Sequence, residues 1–350
     1  MRAIYFTEFG GDLSVIDVPV PVAPPNGVVI EVKATGLCRS DWHAWMGHDR
    51  DVKLPHVPGH ELAGVVSSIG SGVKNFAVGD RVTVPFVNGC GKCQFCLQGD
   101  AQVCPNQTQP GFTQWGSYAE YVSIENADFN LIRLPDTISF STAAALGCRF
   151  ATAFRGLTAR AKVQSGEWVA IFGCGGVGLS AIMIAKALGA RVIAVDISSV
   201  ALKKAQETGA DLALDSNSED VVARIQEITG SGADVGVDAL GSQVTSSQSI
   251  LSLKRRGRHL QLGLLLTLDG LTPEPMGRVI AYELDLLGSH GMAAVDYPKM
   301  LAMVDSGVLR PDLLVEQIIG LDKGAIALRT LSQPDSSKLG GVTIIDPLEH

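Results

Sequence analysis

From Trp168 to Ala185 the chain passes through eighteen positions without a charged residue, the nominal length of a membrane-spanning helix. Four glycines, Gly173, Gly175, Gly176 and Gly178, divide that run. A spanning helix has no use for a glycine cluster at its middle, so the membrane reading is set aside. The pattern instead predicts an apolar strand over Trp168–Phe172, a glycine-rich turn, and a helix over Leu179–Leu188 that is capped by Gly189. A second buried strand, Arg191–Val195, ends at Asp196. Alternation continues through Asp211–Leu214, Val221–Thr229, Val235–Ala239, Val244–Leu253 and Arg258–Leu262. Such a series predicts an α/β fold with a doubly wound parallel sheet buried by helices on both faces.

The same pattern carries a binding hypothesis. Gly173, Gly175, Gly176 and Gly178, with Val177 among them, would let a backbone approach a pyrophosphate, and the following helix N-terminus offers amides and partial positive charge. An acidic residue about 20 positions on accepts hydrogen bonds from ribose hydroxyls. Asp196 stands 23 residues after Gly173, at a strand end. Its carboxylate would repel a ribose 2′-phosphate, which favours NAD over NADP. A plain glycine-rich turn with Asp196 as a helix cap is the alternative.

Composition narrows the class further. The length of 350 residues suits two domains, and 46% hydrophobic content suits a sheet buried on both faces. A net charge of −8 argues against a nucleic-acid surface. The basic triplet Lys254-Arg255-Arg256 reads as a solvated turn.

Seven cysteines are unevenly spread. Cys90, Cys93, Cys96 and Cys104 have the spacing of one tetrahedral, closed and therefore structural zinc site, with Gly89, Gly91 and Gly99 easing the loop. An iron–sulfur cluster and disulfides are the rivals; the last gap is too long for a ferredoxin run, and two-residue gaps make strained rings. Cys38, Cys148 and Cys174 remain, and an odd number with no signal peptide points to a reducing cytoplasm. Cys38, Ser40, His43 and Gly59-His60-Glu61 form a looser second group. In isolation, Cys148 reads as a small core residue and His60 as a buried histidine.

Several motifs in order change those readings. Gly36-Leu37-Cys38-Arg39-Ser40-Asp41-Trp42-His43, Gly59-His60-Glu61, Gly79-Asp80-Arg81-Val82, the four-cysteine lobe, Gly147-Cys148 and the glycine turn together resemble the zinc-dependent medium-chain alcohol dehydrogenases, from about Arg2 to Pro347. The resemblance implies a chaperonin-10-like β-rich catalytic domain over 1–150, with a structural zinc lobe at 88–105. It implies a Rossmann cofactor domain over 151–288 and a return to the catalytic domain over 289–350. It also implies two zinc ions per chain, NAD, and reversible oxidation of a primary or secondary alcohol by hydride transfer from a zinc-held alkoxide.

Individual positions inherit roles from that resemblance. Cys38, His60 and Cys148 match the catalytic zinc ligands. Glu61 matches a carboxylate that approaches the metal transiently, and Asp41 the partner that orients a zinc-bound histidine. Ser40 and His43 match a proton relay, with His43 exchanging with water near its ordinary pKa of about 6.5. Arg39 matches a pyrophosphate contact; Leu262, Gly263 and Leu264 match the segment flanking the nicotinamide. Phe86 matches a pocket wall, to which the apolar residues Trp42, Trp45 and Trp115 are added as candidates, hinting at apolar alcohols. Trp42 and Trp45 suit the core equally well.

Two departures bear on the cofactor. Ala201 stands where a basic residue often follows the ribose acid, and Leu339-Gly340-Gly341-Val342 stands where many members show Gly-Arg. The rivals are a polyol, threonine or formaldehyde dehydrogenase on the same scaffold, a zinc-free enone or quinone reductase, and a non-enzymatic dinucleotide-binding protein. Cys38, His60 and Cys148 speak against the second, and Ser40 with His43 against the third. Partners would be a small alcohol or aldehyde and other copies of the chain, with a homotetramer favoured over a dimer, and neither nucleic acid nor membrane.

Overall fold

A computed structural model describes residues 1–265, 273–331 and 341–349, so Leu339, Gly340 and His350 lie outside the described residues. Its largest regular element is a six-stranded, wholly parallel sheet. The strands run in the spatial order Leu212–Asp215, Arg191–Asp196, Trp168–Phe172, Ala233–Asp238, Leu253–Gln261 and Asp285–Gly288. Their middle residues are apolar and buried, as a sheet covered on both faces requires. The uncharged run thus divides into the strand Trp168–Phe172 and the helix Gly176–Ala187. No described helix is long and apolar enough to cross a membrane.

That helix begins three residues earlier than its apolar pattern predicts, because Gly176 and Val177 of the turn already belong to its first turn. The strand expected over 258–262 is longer, Leu253–Gln261, and takes in the basic triplet, with Arg256 in the left-handed region at φ 61°. Chain order reverses between Trp168–Phe172 and Ala233–Asp238. In open α/β sheets a ligand crevice forms beyond the strand ends at such a point.

The remainder centres on a seven-stranded mixed sheet. Val28–Gly36 pairs antiparallel with Leu62–Ile69, Tyr121–Ile124 and Val342–Ile345, and Val315–Ile319 lies parallel to the last of these. Residues near the C-terminus thereby complete a sheet begun near the N-terminus. Between the two sheets lie the helices Phe140–Ala145 and Ala151–Arg155, whose Ala143, Ala144, Ala153 and Phe154 share one core with Ala34, Ala63, Val169 and Ile171. Gly147 breaks the helical path at φ −59° and ψ −122°, just before Cys148.

Candidate active site and metal centres

A cleft of about 1080 Å³ opens between the sheets. One wall is made by Cys38, Arg39, Ser40, His43, His60, Phe86 and Cys148; the other by Gly173–Val177, Asp196, Leu262, Gly263 and Leu264. The structure therefore brings most of the sequence-derived site residues around one space.

Cys38 precedes the helix Arg39–Trp45, and His60 lies in the turn before the strand Leu62–Ile69. Donor atoms of Cys38, His60, Glu61 and Cys148 all lie within 4.8 Å of one another. His60 Nδ1 is 2.8 Å from Asp41 Oδ1, which leaves Nε2 as the free nitrogen; that atom is fully buried and has no hydrogen-bond partner. The neighbouring Cys148 thiol holds Cys38 well below its ordinary pKa, and the Cys38 sulfur with burial pushes Cys148 well above it. Two sulfurs close together beside an orphaned imidazole nitrogen make a donor set that fits zinc.

Asp41 holds this set in place and is itself fully buried, behind the cleft wall. Its Oδ1 also accepts from Gly59 N at 3.0 Å; its Oδ2 accepts from Cys38 N at 3.2 Å and from the Tyr118 hydroxyl at 2.6 Å. With four donors, the carboxylate is well compensated for its burial. Gly59 adopts φ 106°, and a Cβ there would sit 2.5 Å from Tyr118. Tyr118 was not singled out in the sequence because nothing in its local pattern separates it from a core tyrosine.

Glu61 is fully buried and bound by Arg149, whose Nε donates to Oε1 at 3.1 Å and whose Nη2 donates to Oε2. The Arg149 backbone amide also donates to Oε1, at 3.1 Å. Sequence reasoning passed over Arg149, although it is the residue following Cys148.

Ser40 and His43 sit three apart on one face of the short helix, facing the cleft. His43 Nδ1 lies 2.9 Å from Nδ1 of the exposed His48, which had no assigned role. The expectation that His43 titrates near 6.5 is corrected: burial, aided by His48 and Arg39, lowers its pKa to about 4.

Two pocket candidates are also corrected. Trp42 is two positions from Ser40, so it turns away from the cleft and packs edge-on against His43 and His48, at 5.0 and 5.6 Å between centroids. Trp115 points outward, donating from Nε1 to Pro55 O at 3.0 Å with its ring against Tyr5. Trp45 belongs to a core cluster. Phe86 does line the cleft, joined by the unanticipated Phe112; their ring centroids lie 5.9 and 5.2 Å from that of His60.

At the glycine turn, Gly173 adopts φ 91° and a Cβ at Gly178 would collide with Gly173 O at 1.8 Å. Asp196 braces the turn: Oδ2 accepts from Cys174 N at 2.7 Å and Oδ1 from Ser198 N at 2.9 Å. Asp238 ties Leu240 and Gly241 to its side chain, while its backbone carbonyl accepts from Leu262 and Gly263.

The second cluster brings Cys90, Cys93, Cys96 and Cys104 within 4.8 Å of one another, all as free thiols. Amides of Cys90, Cys96 and Asn106 donate to its sulfurs at 3.3–3.5 Å. The Lys92 and Cys93 amides help lower Cys90 to about 6, while burial raises Cys96 to about 12. Four sulfurs so close require a cation before all can ionise, which again fits zinc.

Residues 24–136 match the family model for the alcohol dehydrogenase GroES-like domain, and residues 176–306 match that for zinc-binding dehydrogenases. An alcohol dehydrogenase of Geobacillus stearothermophilus is 34% identical over 314 residues, 89% of this chain and 90% of the relative. The chain belongs to the zinc-dependent medium-chain alcohol dehydrogenase family. The family's GroES-like and Rossmann-type halves correspond to the mixed and the parallel sheet. A sorbitol dehydrogenase of Halalkalibacterium halodurans is 33% identical over 326 residues, 90% of this chain and 91% of that one. Among solved structures, an NAD-dependent alcohol dehydrogenase superposes with a TM-score of 0.88 at 32% identity, covering 99% of both chains. Family membership makes the chain a zinc-type oxidoreductase of alcohols.

Proposed function

We propose that this chain oxidises a primary or secondary alcohol with an apolar substituent to its aldehyde or ketone, reversibly, using two zinc ions per chain and NAD. The observation that carries this reading is the convergence of Cys38, His60 and Cys148 on the cleft that the glycine turn also lines. Zinc on those three residues supplies a Lewis acid that makes the substrate hydroxyl more acidic. NAD supplies the hydride acceptor.

The chain's own groups do the rest. Ser40 takes the hydroxyl proton as it gives up its own, which would reach His43 by way of the cofactor ribose and pass outward; a His43 that stays neutral at pH 7 conducts the proton without storing it. His48, hydrogen-bonded to His43 and exposed, completes the path to water. Phe86 and Phe112 keep water away from the His60 side and favour an apolar substituent over a polyol. Asp196 carries the NAD preference, and Arg39 meets the pyrophosphate.

The catalytic domain is assigned to 1–150 and 289–350 and the cofactor domain to 151–288, supported by the pairing of Val342–Ile345 with Val28–Gly36. A homo-oligomer, with a tetramer favoured, is supported by the strand Asp285–Gly288, which is outermost in its sheet among the described residues and leaves Leu286 exposed. Seven free thiols suit a reducing cytoplasm.

The test is zinc content by elemental analysis together with NADH formation across a panel of apolar alcohols and sorbitol. About two zinc per chain with turnover on apolar alcohols is expected; one zinc and no turnover would sink the cleft site. Preference for sorbitol would move the reading to a polyol dehydrogenase.

A further inference from the structure

A buried ion pair at the cleft wall, Arg149 with Glu61, lies between the two halves of the site. Arg149 lines the cleft and is only 9% exposed. Glu61 engages Nε and Nη2, and no hydrogen bond from Nη1 is seen among the described residues. That free nitrogen is directed at the glycine turn: a Cβ at Gly176 would lie 2.8 Å from Arg149 Cδ and 3.2 Å from Nη1. Gly176 is the first residue of a twelve-residue helix, so the free edge of the guanidinium and the helix amides share one spot.

Space around the pair is made by other glycines. A Cβ at Gly36 would lie 2.3 Å from Glu61 Oε2 and 3.0 Å from Arg149 Nη2; one at Gly147 would lie 2.6 Å from Glu61 Cβ. The fork is thus locked in one orientation, with its unused edge turned to the place where a dinucleotide's phosphates would lie. Resting on the proposed NAD reading, we infer that Arg149 is a diphosphate-binding residue, pre-aimed by Glu61 and fixed within bonding reach of the metal ligands. A guanidinium offers a planar pair of donors to phosphate, and charge-assisted bonds of this kind are among the stronger ones. Glu61 and the diphosphate would then share one cation, so cofactor occupancy would loosen the grip on Glu61, and the reverse.

The test is calorimetric titration of the zinc-loaded enzyme with ADP and, separately, with adenosine. Removing Arg149 alone would strand a buried carboxylate, so the first variant is the double change Glu61→Gln with Arg149→Met, which removes both charges at nearly constant volume. Arg149→Lys is the second; it keeps the charge and loses the fork. The expected result is ADP affinity lower by about tenfold or more in the double variant and by less in Arg149→Lys, with adenosine affinity unchanged in both. Unchanged ADP affinity in both variants would overturn the assignment. A parallel loss of ADP and adenosine would also overturn it, showing a purely structural role. If the unaltered enzyme binds neither ligand, the dinucleotide reading itself has failed, an outcome distinct from both.

Discussion

The lobe carrying Cys90, Cys93, Cys96 and Cys104 draws its sulfurs from fifteen consecutive residues, whereas Cys38, His60 and Cys148 are spread over 111. The lobe's amide–sulfur hydrogen bonds come from its own loop, and it is tied to the rest by contacts that include Asp100 with Arg155 at 3.1 Å. The cleft ligands are held by Asp41, which gathers Cys38 N, Gly59 N, His60 and Tyr118 onto one buried carboxylate. A loop that takes its order from a metal contributes binding energy to folding; a donor set already fixed by the protein spends less on ordering and more on chemistry.

Substitutions that strike one site at a time would sharpen that contrast. Cys148→Ser should cut turnover by a factor on the order of 1000 or more, several kcal/mol of lost Lewis-acid assistance, while thermal stability changes little. Zinc content should then fall by one ion per chain. Cys104→Ser should do the opposite, lowering the melting temperature by roughly 10 °C through the loss of several kcal/mol of metal-coupled folding. Equal melting temperatures for the two variants would break the comparison.

Smaller effects test the framework of the cleft. Asp41→Asn preserves shape but changes what His60 Nδ1 faces, and should weaken zinc retention against a chelator by about 10- to 100-fold, with the lobe's ion unaffected. His48→Gln should lower alcohol turnover several-fold at low buffer concentration and recover as small imidazole buffers are added. A variant indifferent to both would remove His48 from the proton path.

The mildest prediction concerns pH. The folded pKa of His43, about 4, lies below its unfolded value near 6.5. The unfolded chain therefore binds more protons between those values, and stability is complete above about pH 6.5 and declines as pH falls toward 4. His56, His259 and His290 are also lowered by burial and act in the same direction. The melting temperature should fall between pH 7 and 5, and less steeply in His43→Gln.

What the chain reveals before folding follows the same division. The four-cysteine lobe and the strand–turn–helix around Gly173 were legible because both are contiguous, and the helix start was missed only because Gly176 belongs at once to turn and helix. Cys38 and His60 were legible through short motifs. Tyr118, Phe112 and Arg149 were not, since their meaning comes from partners 52 to 88 positions away, and a tyrosine, a phenylalanine or an arginine alone has no period or spacing to mark it. Trp42 and Trp115 misled for the reverse reason. Large apolar side chains near a motif suit a pocket, yet helix phase turned one away and an indole hydrogen bond drew the other outward.

The glycines packed around Arg149 and Glu61 also constrain how this chain can change over generations. A methyl group at Gly36 or Gly176 collides with the pair as it stands, so neither position can accept alanine first. Once Arg149 has been shortened, the space over Gly176 opens and Gly176→Ala becomes tolerable. The order of the two steps then decides whether a lineage survives the intermediate. Glu61, Arg149 and the glycines about them would be inherited or replaced together, as a single unit of descent.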